Sequence, residues 1–161
     1  MIFQGQEFLQ GEWFRDNVPL DWHLNEEYHG VARMYRDLIW LRLNREGVSR
    51  GLCGQYVAVT HVNDQQNLIA FQRWDQHGDG DDVMVIANCG YEAKEGYRIG
   101  MPQSGEWKLR FNSDASIYSD DFQNTLSTHL TATDEAQDGL PASAEVTIAP
   151  YSVLIYSRDP S

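Results

Sequence analysis

The sequence predicts a mainly β fold, an antiparallel β-sandwich preceded by a loop and one amphipathic α-helix. Three observations support this prediction. Hydrophobic residues make up 42% of the chain and aromatic residues 12%, which is enough for a globular core in 161 residues. Apolar residues recur at helical spacing before position 50. After Gly51 the pattern changes to short alternating runs broken by Gly, Asn and Asp, as in antiparallel strands.

The chain opens on an apolar segment, residues 1–8, with no turn or cap before it. This pattern predicts a buried strand that begins at the first residue. We therefore expect the segment to be the end of something larger and the chain to be truncated. Its strand and helix would then expose apolar surface, which predicts self-association or repacking onto the sandwich.

Residues 26–44 are predicted to form the amphipathic helix. Asn25 is a candidate N-cap, two glutamates follow in the first turn, and Gly47 or Gly51 lies beyond the basic C-terminal end. The apolar positions recur at spacings of three and four: Val31, Met34, Tyr35, Leu38, Ile39 and Leu41. We expect this stripe to have no partner within a small sandwich.

Seven strands are predicted after the helix, and such a series of short strands is typical of a sandwich or barrel. Alternation in the fifth strand places Trp107, Leu109 and Phe111 on one core-facing side. Residues 120–143 are polar and irregular, which predicts a long loop. The predicted strands are 56–62, 68–74, 83–88, 97–101, 106–111, 146–148 and 152–156.

Charge and composition exclude several classes of partner. Twenty-four acidic against 12 basic residues give a net charge of -12, which repels polyanions and argues against nucleic-acid binding but leaves a neutral polymer unaffected. The sequence has no signal-peptide pattern and no apolar run long enough for a membrane span. We expect a soluble, cytoplasmic protein whose two cysteines, Cys53 and Cys89, are free buried thiols.

The sequence predicts no cofactor and no metal site. The acidic cluster Asp75, Asp79, Asp81 and Asp82 superficially resembles a calcium loop, but position twelve counted from Asp75 is Ile86 instead of a bidentate glutamate. A solvated hairpin turn is the favoured interpretation of these acids. The five histidines show no metal-ligand spacing, and no nucleotide-binding or hydrolase motif occurs.

Several segments resemble family-13 glycoside hydrolases of the alpha-amylase superfamily, most of all glycogen branching enzymes. Residues 3–8, Phe-Gln-Gly-Gln-Glu-Phe, are similar to the Phe-Met-Gly-Gln-Glu-Phe that ends the eighth barrel strand, with Gln4 in place of methionine, and an Asp-Trp pair follows at 21–22. Residues 68–74 and 83–88 resemble the family's "vlaFhRw … vvVvaNf" hairpin. Residues 105–107, 111–114 and 150–152 resemble its later "G-x-W", "lNSD" and "Pro-x-Ser" segments.

The resemblance implies that residues 1–50 are the end of a catalytic barrel and 51–161 its C-terminal all-β domain. It also implies retaining cleavage of an α-1,4-glucosidic bond, and in branching enzymes transfer of the freed chain to a 6-hydroxyl. That chemistry uses an acid/base carboxyl and a nucleophilic carboxylate about 5 Å apart. In the family these come from earlier barrel strands, so the resemblance assigns no catalytic residue to this chain.

Three residues are candidates for contact with a glucan substrate. Glu7 follows the carboxyl end of a barrel strand, where barrel enzymes carry their sites, and structural support is its alternative role. Trp13 could stack on a sugar ring, whereas Trp22 is expected in the core. Trp74 alternates with Ala70 and Gln72, which predicts a solvent-facing carbohydrate platform or an ordinary surface tryptophan.

The leading hypothesis is a non-catalytic C-terminal domain of a branching enzyme or alpha-amylase-type enzyme. It would brace the barrel and contact α-glucan weakly or through the barrel, and the chain alone would be inactive. The alternative is a free-standing carbohydrate-binding module for starch or glycogen.

Overall fold

The computed structural model describes residues 3–11, 15–122 and 125–160. Within them, two helices precede eight strands that form two antiparallel sheets, so the predicted sandwich is confirmed. The helices are α1 (His23–Glu27) and α2 (His29–Arg42). The strands are β1 (Tyr56–Asn63), β2 (Leu68–Trp74), β3 (Val83–Asn88), β4 (Lys94–Met101), β5 (Gly105–Asn112), β6 (Leu130–Ala132), β7 (Ala142–Ile148) and β8 (Ser152–Ser157).

The two sheets face each other across an apolar interior. Six strands lie in the order β1-β2-β3-β8-β5-β6, and β4 pairs with β7 in the second sheet. Backbone hydrogen bonds between Thr133 and Ser143 join the end of β6 to β7, which closes the sandwich along one edge. The interior residues include Leu68, Met84, Ile86, Ile99, Met101, Trp107, Val146, Ile148, Leu154 and Tyr156.

The largest interior side chains also satisfy their polar atoms. The Trp107 indole N–H donates to the carbonyl of Gln103 at 3.0 Å, and the Tyr156 hydroxyl donates to the carbonyl of Thr128 at 3.1 Å. A buried donor without a partner would lose its hydration without compensation. Trp107 and Tyr156 therefore fill the core without leaving a buried donor unpaired.

Helix α2 forms a third layer on the outer face of the large sheet. Met34, Leu38 and Leu41 pack against a second apolar cluster that β3, β5 and β8 supply. The prediction that the helix stripe has no partner in the sandwich is therefore wrong for these three residues. The other side of α2 stays open, with Ile39 43%, Trp40 52% and Leu43 52% exposed, and we call these residues the helix strip.

The predicted single helix over 26–44 is divided at Tyr28, whose φ of -105° and ψ of 32° leave the helical region. Asn25 lies inside α1 and therefore is not its N-cap. At the start of this helix, the Asp21 carboxylate accepts a hydrogen bond from the N–H of His23 at 3.1 Å. At the far end Asn44 adopts φ 50°, and the N–H of Arg45 donates to the carbonyl of Trp40 at 3.1 Å. A left-handed asparagine therefore ends the helix before Gly47.

Residues 3–8 do not form the predicted strand. The N–H of Gln6 donates to the carbonyl of Phe3 at 3.0 Å, Gly5 has φ 89°, and a 3₁₀ turn follows at Gln6–Phe8. These backbone groups bond within their own segment and not to a neighbouring strand. The buried side chain of Phe8 fits the predicted apolar character of the segment, but its backbone conformation was predicted wrongly.

A bulge in β5 changes which side Phe111 faces. Leu109 is paired with Tyr156, but Phe111 is paired with Ile155, so the register shifts by one residue between them. Leu109 packs on the interior, whereas Phe111 packs in the outer cluster beneath α2. The prediction of one shared face for Trp107, Leu109 and Phe111 is wrong, because an extra residue reverses alternation.

Two further expectations need correction. The predicted loop over 120–143 contains β6 and the first residues of β7. Cys53 and Cys89 are free, as predicted, but both are exposed. No helix in the described ranges has the length and apolarity that crossing a membrane requires.

Candidate functional site

Three aromatic rings stack at one end of the large sheet. Trp74 ends β2 directly opposite Tyr56, which begins β1. The Tyr56 and Trp74 rings lie 5.7 Å apart between centroids with an interplanar angle of 13°, and His77 lies 4.8 Å from Trp74 at 15°. We call these three residues the aromatic stack.

Trp74 itself is half-buried, and it does not lie on a solvent-facing side of the sheet. Its neighbours on the same side of β2, Ala70 and Gln72, are buried. The prediction that this side faces solvent is wrong because apolar residues line both sides of β2, so alternation could not separate them. The open rings of the stack are Tyr56, which is 55% exposed, and His77, whose side chain is 57% exposed.

Buried carboxylates hold the loop that carries His77. One oxygen of Asp82 lies 2.8 Å from Nδ1 of His77 and accepts a hydrogen bond from Gln72 at 2.7 Å, while the other accepts from the N–H of Gly78 at 2.8 Å. Asp81 accepts the backbone N–H groups of Asp75 at 2.9 Å and Gln76 at 2.6 Å. The predicted solvated turn is therefore incorrect for Asp81 and Asp82, which organise the loop from inside.

A charged pair forms at Asp75, the residue that follows Trp74. Arg50 donates from Nε and Nη2 to one oxygen of Asp75 at 3.2 and 2.8 Å, and this hydrogen bond raises the pKa of Arg50. The two side chains are 44% and 39% exposed, so their remaining donors and acceptors reach solvent.

Glu7 lies in a separate groove of about 400 Å³ between the N-terminal segment and α2. The described residues that line it are Gln4, Glu7, Ala32, Tyr35, Arg36, Ile39 and Trp40, and among them only Glu7 carries a carboxylate. Retaining glycosidic chemistry uses two carboxylates. The described part of this groove therefore lacks the pair that such catalysis uses.

The structure tests the tryptophan predictions unevenly. Trp13 falls outside the described residues. Trp22, predicted in the core, is exposed, although its ring lies 5.3 Å from that of Phe8. The prediction is wrong because Trp22 covers the buried Phe8 from outside, which leaves the indole 65% exposed.

A polar cluster that the sequence did not reveal links the two sheets. His61 of β1 lies with Nδ1 3.0 Å from Asp138 and Nε2 2.8 Å from the Tyr97 hydroxyl, which also accepts from Asn63 at 2.9 Å. Its members come from three separate parts of the chain, β1, β4 and the turn at Asp138, so no local spacing could indicate it. The cluster connects β1 to β4 on the edge opposite the Thr133–Ser143 bridge.

No metal centre is formed by the described residues. Over 3–11, 15–122 and 125–160, no three His, Cys, Asp or Glu side chains converge in an arrangement that could hold an ion. Asp79 contacts Gln103 and Arg158, at 3.0 and 3.2 Å.

Comparison with known families identifies most of the β region. Residues 59–159 match the family model described as "Alpha amylase, C-terminal all-beta domain". The chain is 32% identical over 160 residues to the 1,4-alpha-glucan branching enzyme GlgB of Pseudomonas putida, covering 96% of this chain and 21% of that protein. It is 29% identical over 166 residues to the same enzyme of Rhodospirillum rubrum, covering 99% of this chain and 22% of that one.

The chain thus spans about a fifth of the length of these curated relatives. Among solved structures, it resembles a pullulanase from Anoxybacillus sp. LM18-11, crystallised in complex with maltotetraose, with a TM-score of 0.57. That similarity covers 96% of this chain and 20% of the pullulanase at 14% identity, so it shows the fold alone.

Proposed function

Because the chain belongs to the alpha-amylase family, whose C-terminal all-β domain it contains at residues 59–159, we propose that it is the non-catalytic C-terminal part of an α-glucan-processing enzyme. The parent would be a branching enzyme or an alpha-amylase-type hydrolase. Similarity to two bacterial branching enzymes over nearly the whole chain supports the first of these. The domain would brace the catalytic barrel.

The observation that carries the bracing role is the open apolar surface on the helical layer. The helix strip exposes Ile39, Trp40 and Leu43 next to a stripe that is already packed on the sandwich. On the same outer face, the edge strand β1 exposes Val57, Val59 and Val62, each at 59%. Exposed apolar patches on a folded protein mark contact surfaces. A barrel packed there would remove both from water.

The proposal divides the chain into a barrel end at 1–50 and a C-terminal domain at 51–161. The change from helix to strand between Arg42 and Tyr56 supports this boundary. In the intact enzyme, Glu7 and Trp13 would contact the glucan. Glu7 lines the groove beside α2, which fits a position near the barrel's substrate side.

We also propose how the chain behaves alone. The helix strip would pair with another copy where no barrel covers it, and sedimentation of a Trp40→Ser variant would test this through loss of the larger species. A cytoplasmic setting completes the proposal, because two free, exposed cysteines fit a reducing compartment.

One experiment tests the non-catalytic role directly. The polypeptide is incubated with amylose, and new reducing ends and new branch points are measured, with the Pseudomonas putida branching enzyme as positive control. We expect no turnover above buffer. Reproducible cleavage or branching by this chain would overturn the proposal, since the described residues offer no carboxylate pair in the groove.

The second candidate, a free-standing carbohydrate-binding module, is favoured by one observation, the open rings of the aromatic stack. The two candidates differ in what the helix strip does. A module that acts alone should stay monomeric with α2 packed on the sandwich. A domain that packs on a catalytic barrel should bind a branching enzyme from which the C-terminal fifth has been removed. A pull-down with such a truncated relative would detect this binding.

A further inference from the structure

Arg73 is a partly buried cation that forms no ion pair within the described residues. Its Nη2 donates to the carbonyl of Gly54 at 2.6 Å, but its buried Nε has no acceptor in the described part of the chain. Two other arginines of the described ranges are partly buried, and each contacts a carboxylate: Arg110 contacts Asp159, and Arg158 contacts Asp79 at 3.2 Å. Arg73 is therefore the exception among these three arginines.

Arg73 lies on the outer side of the large sheet, next to exposed valines of β1. It is paired in register with Val57, and Phe71 is paired with Val59. Phe71 packs against the outer apolar cluster, and residues two positions apart on a strand share a side. Residues directly opposite each other in an antiparallel pair also share a side, so Arg73, Val57 and Val59 face the same way. Both valines are 59% exposed, which places the cation within an open apolar surface.

Folding alone does not explain a charge at this position. A guanidinium stays ionised in proteins, and a buried donor without an acceptor loses its hydration without compensation. Partial burial of a charge is unfavourable unless an opposite charge lies beside it, and an apolar side chain of similar volume is often at least as stable there. The free chain therefore holds Arg73 in an arrangement that an incoming carboxylate would stabilise.

The chemistry of Arg73 selects the group that it would bind. A guanidinium presents a planar fork of donors that matches the two oxygens of a carboxylate, and apolar surroundings strengthen such a charge-assisted hydrogen bond. We propose that Arg73, together with Val57 and Val59, is a docking site for a carboxylate side chain on the catalytic barrel of the parent enzyme. The two valines belong to the surface that the bracing role assigns to the barrel, so one partner would cover the valines and the cation together. This inference rests on the proposed function for the identity of the partner.

The stability of the free chain provides the first readout. Arg73→Met removes the charge and keeps an unbranched side chain of similar reach. We expect its urea midpoint to equal or exceed that of the native chain, because an unbalanced, partly buried charge is removed. Arg110→Met is the matched control, since Arg110 contacts Asp159 within the chain, and its midpoint should fall.

Binding to the catalytic barrel provides the second readout. A pull-down over a series of chain concentrations uses the Pseudomonas putida branching enzyme from which the C-terminal fifth has been removed. We expect Arg73→Met to bind about tenfold more weakly than the native chain, the loss of one charge-assisted hydrogen bond. Arg98→Met should bind as the native chain does, because Arg98 lies on β4 and already contacts Glu135 and Glu145. Added salt should weaken binding of the native chain more than that of Arg73→Met.

If the truncated enzyme does not fold, a chimera makes the same comparison. In it, this chain replaces the C-terminal fifth of the full branching enzyme, and the rate at which branching activity is lost on heating is measured. Arg73→Met should make that loss about tenfold faster, whereas Arg98→Met should leave it unchanged.

The outcomes separate this docking site from the proposed function. A lower urea midpoint for Arg73→Met would mean that the chain itself balances the charge, and equal binding of Arg73→Met would mean that no barrel carboxylate reaches it. Either result overturns the docking site and leaves the bracing role intact. Loss of a larger species in sedimentation of Arg73→Met would assign the carboxylate to a second copy, which also overturns the docking site. Failure of the native chain to bind would overturn the bracing role as well, and turnover of amylose would overturn the non-catalytic role alone.

Discussion

His61 and Asp138 lie 3.0 Å apart, Nδ1 to Oδ1, although 77 positions separate them in the chain. Their side chains are only 14% and 11% exposed. Tyr97 completes the contact from the second sheet at 2.8 Å. The sandwich is therefore closed by backbone hydrogen bonds along one edge and by side chains along the other.

A double-mutant cycle on His61→Ala and Tyr97→Phe measures this side-chain closure. His61→Ala leaves the Asp138 carboxylate and the Tyr97 hydroxyl short of partners, so we expect a loss of about 2 kcal/mol in the free energy of unfolding. Because the residues are in contact, the two losses should be non-additive by about 1 kcal/mol in urea unfolding. Strictly additive losses would mean that the two residues stabilise the fold independently.

Gly30→Ala should destabilise the protein, although alanine is the better helix former. A Cβ at this buried position would lie 1.9 Å from the carbonyl oxygen of Tyr118. We expect a loss of about 2–3 kcal/mol in urea unfolding. Gly11→Ala is the control, since its nearest described neighbour atom would be 4.0 Å away. A gain in stability from Gly30→Ala would show that the segment at Tyr118 does not pack on α2.

Leu38 and Ile39 are adjacent on α2 but face different sides of the helix. Leu38 packs on the sheet, whereas Ile39 is 43% exposed. Leu38→Ala should cost about 1–2 kcal/mol, less than a fully buried leucine, and Ile39→Ala should change the free energy of unfolding by less than about 0.5 kcal/mol. Chemical denaturation followed by circular dichroism makes the comparison. The reverse order would indicate that the helix packs through its other side.

Stability should fall at alkaline pH. Burial raises the pKa of Tyr118 above its ordinary value, and the hydrogen bond that its hydroxyl donates to Asp37 at 3.0 Å acts in the same direction, while Arg33 and Arg36 oppose it. Burial likewise raises the pKa of Tyr156. The unfolded chain releases these protons near pH ~10 while the folded protein retains them. The folded state then binds more protons, so its stability is full below that pH and declines above it.

Urea unfolding at a series of pH values up to about 11 measures this decline, which starts near the ordinary tyrosine pKa. Tyr118→Phe removes one of the two phenols and should make the decline shallower. An unchanged slope in that variant would exclude Tyr118 as a contributor. Absorbance titration of the folded protein provides a second check, because the buried phenols should ionise after the exposed ones.

The strands β2 and β3 were predictable to the residue because both are bounded by turn-forming residues and contain few interruptions. The strand β6 was not, since three residues within a polar stretch carry too little alternation to detect. The turn at residues 3–8 was missed for another reason. Its composition is apolar enough for a strand, but Gly5 at φ 89° allows the backbone to bond within the segment.

The site was predictable only in part. Trp74 was singled out from its alternation with Ala70 and Gln72, but its partner Tyr56 depends on the register of β1 against β2, which shifts by one between Val59 and His61. His77 joins the stack because Asp82, ten positions after Gln72, turns inward. Neither effect is visible in local alternation. Cross-strand register and buried loop anchors are tertiary properties, and a single sequence does not contain a local signal for them.

Because of the extra residue in β5, the strand packs on both sides of the large sheet: Leu109 packs between the two sheets, and Phe111 packs in the layer under α2. Without the bulge, Arg110 would take the outward position and Phe111 would face the interior, where Leu109 and Tyr156 already pack. The bulge therefore keeps Phe111 in the layer under α2, and a segment exchanged with a homologous chain should be joined outside positions 105–112 so that the bulge is preserved.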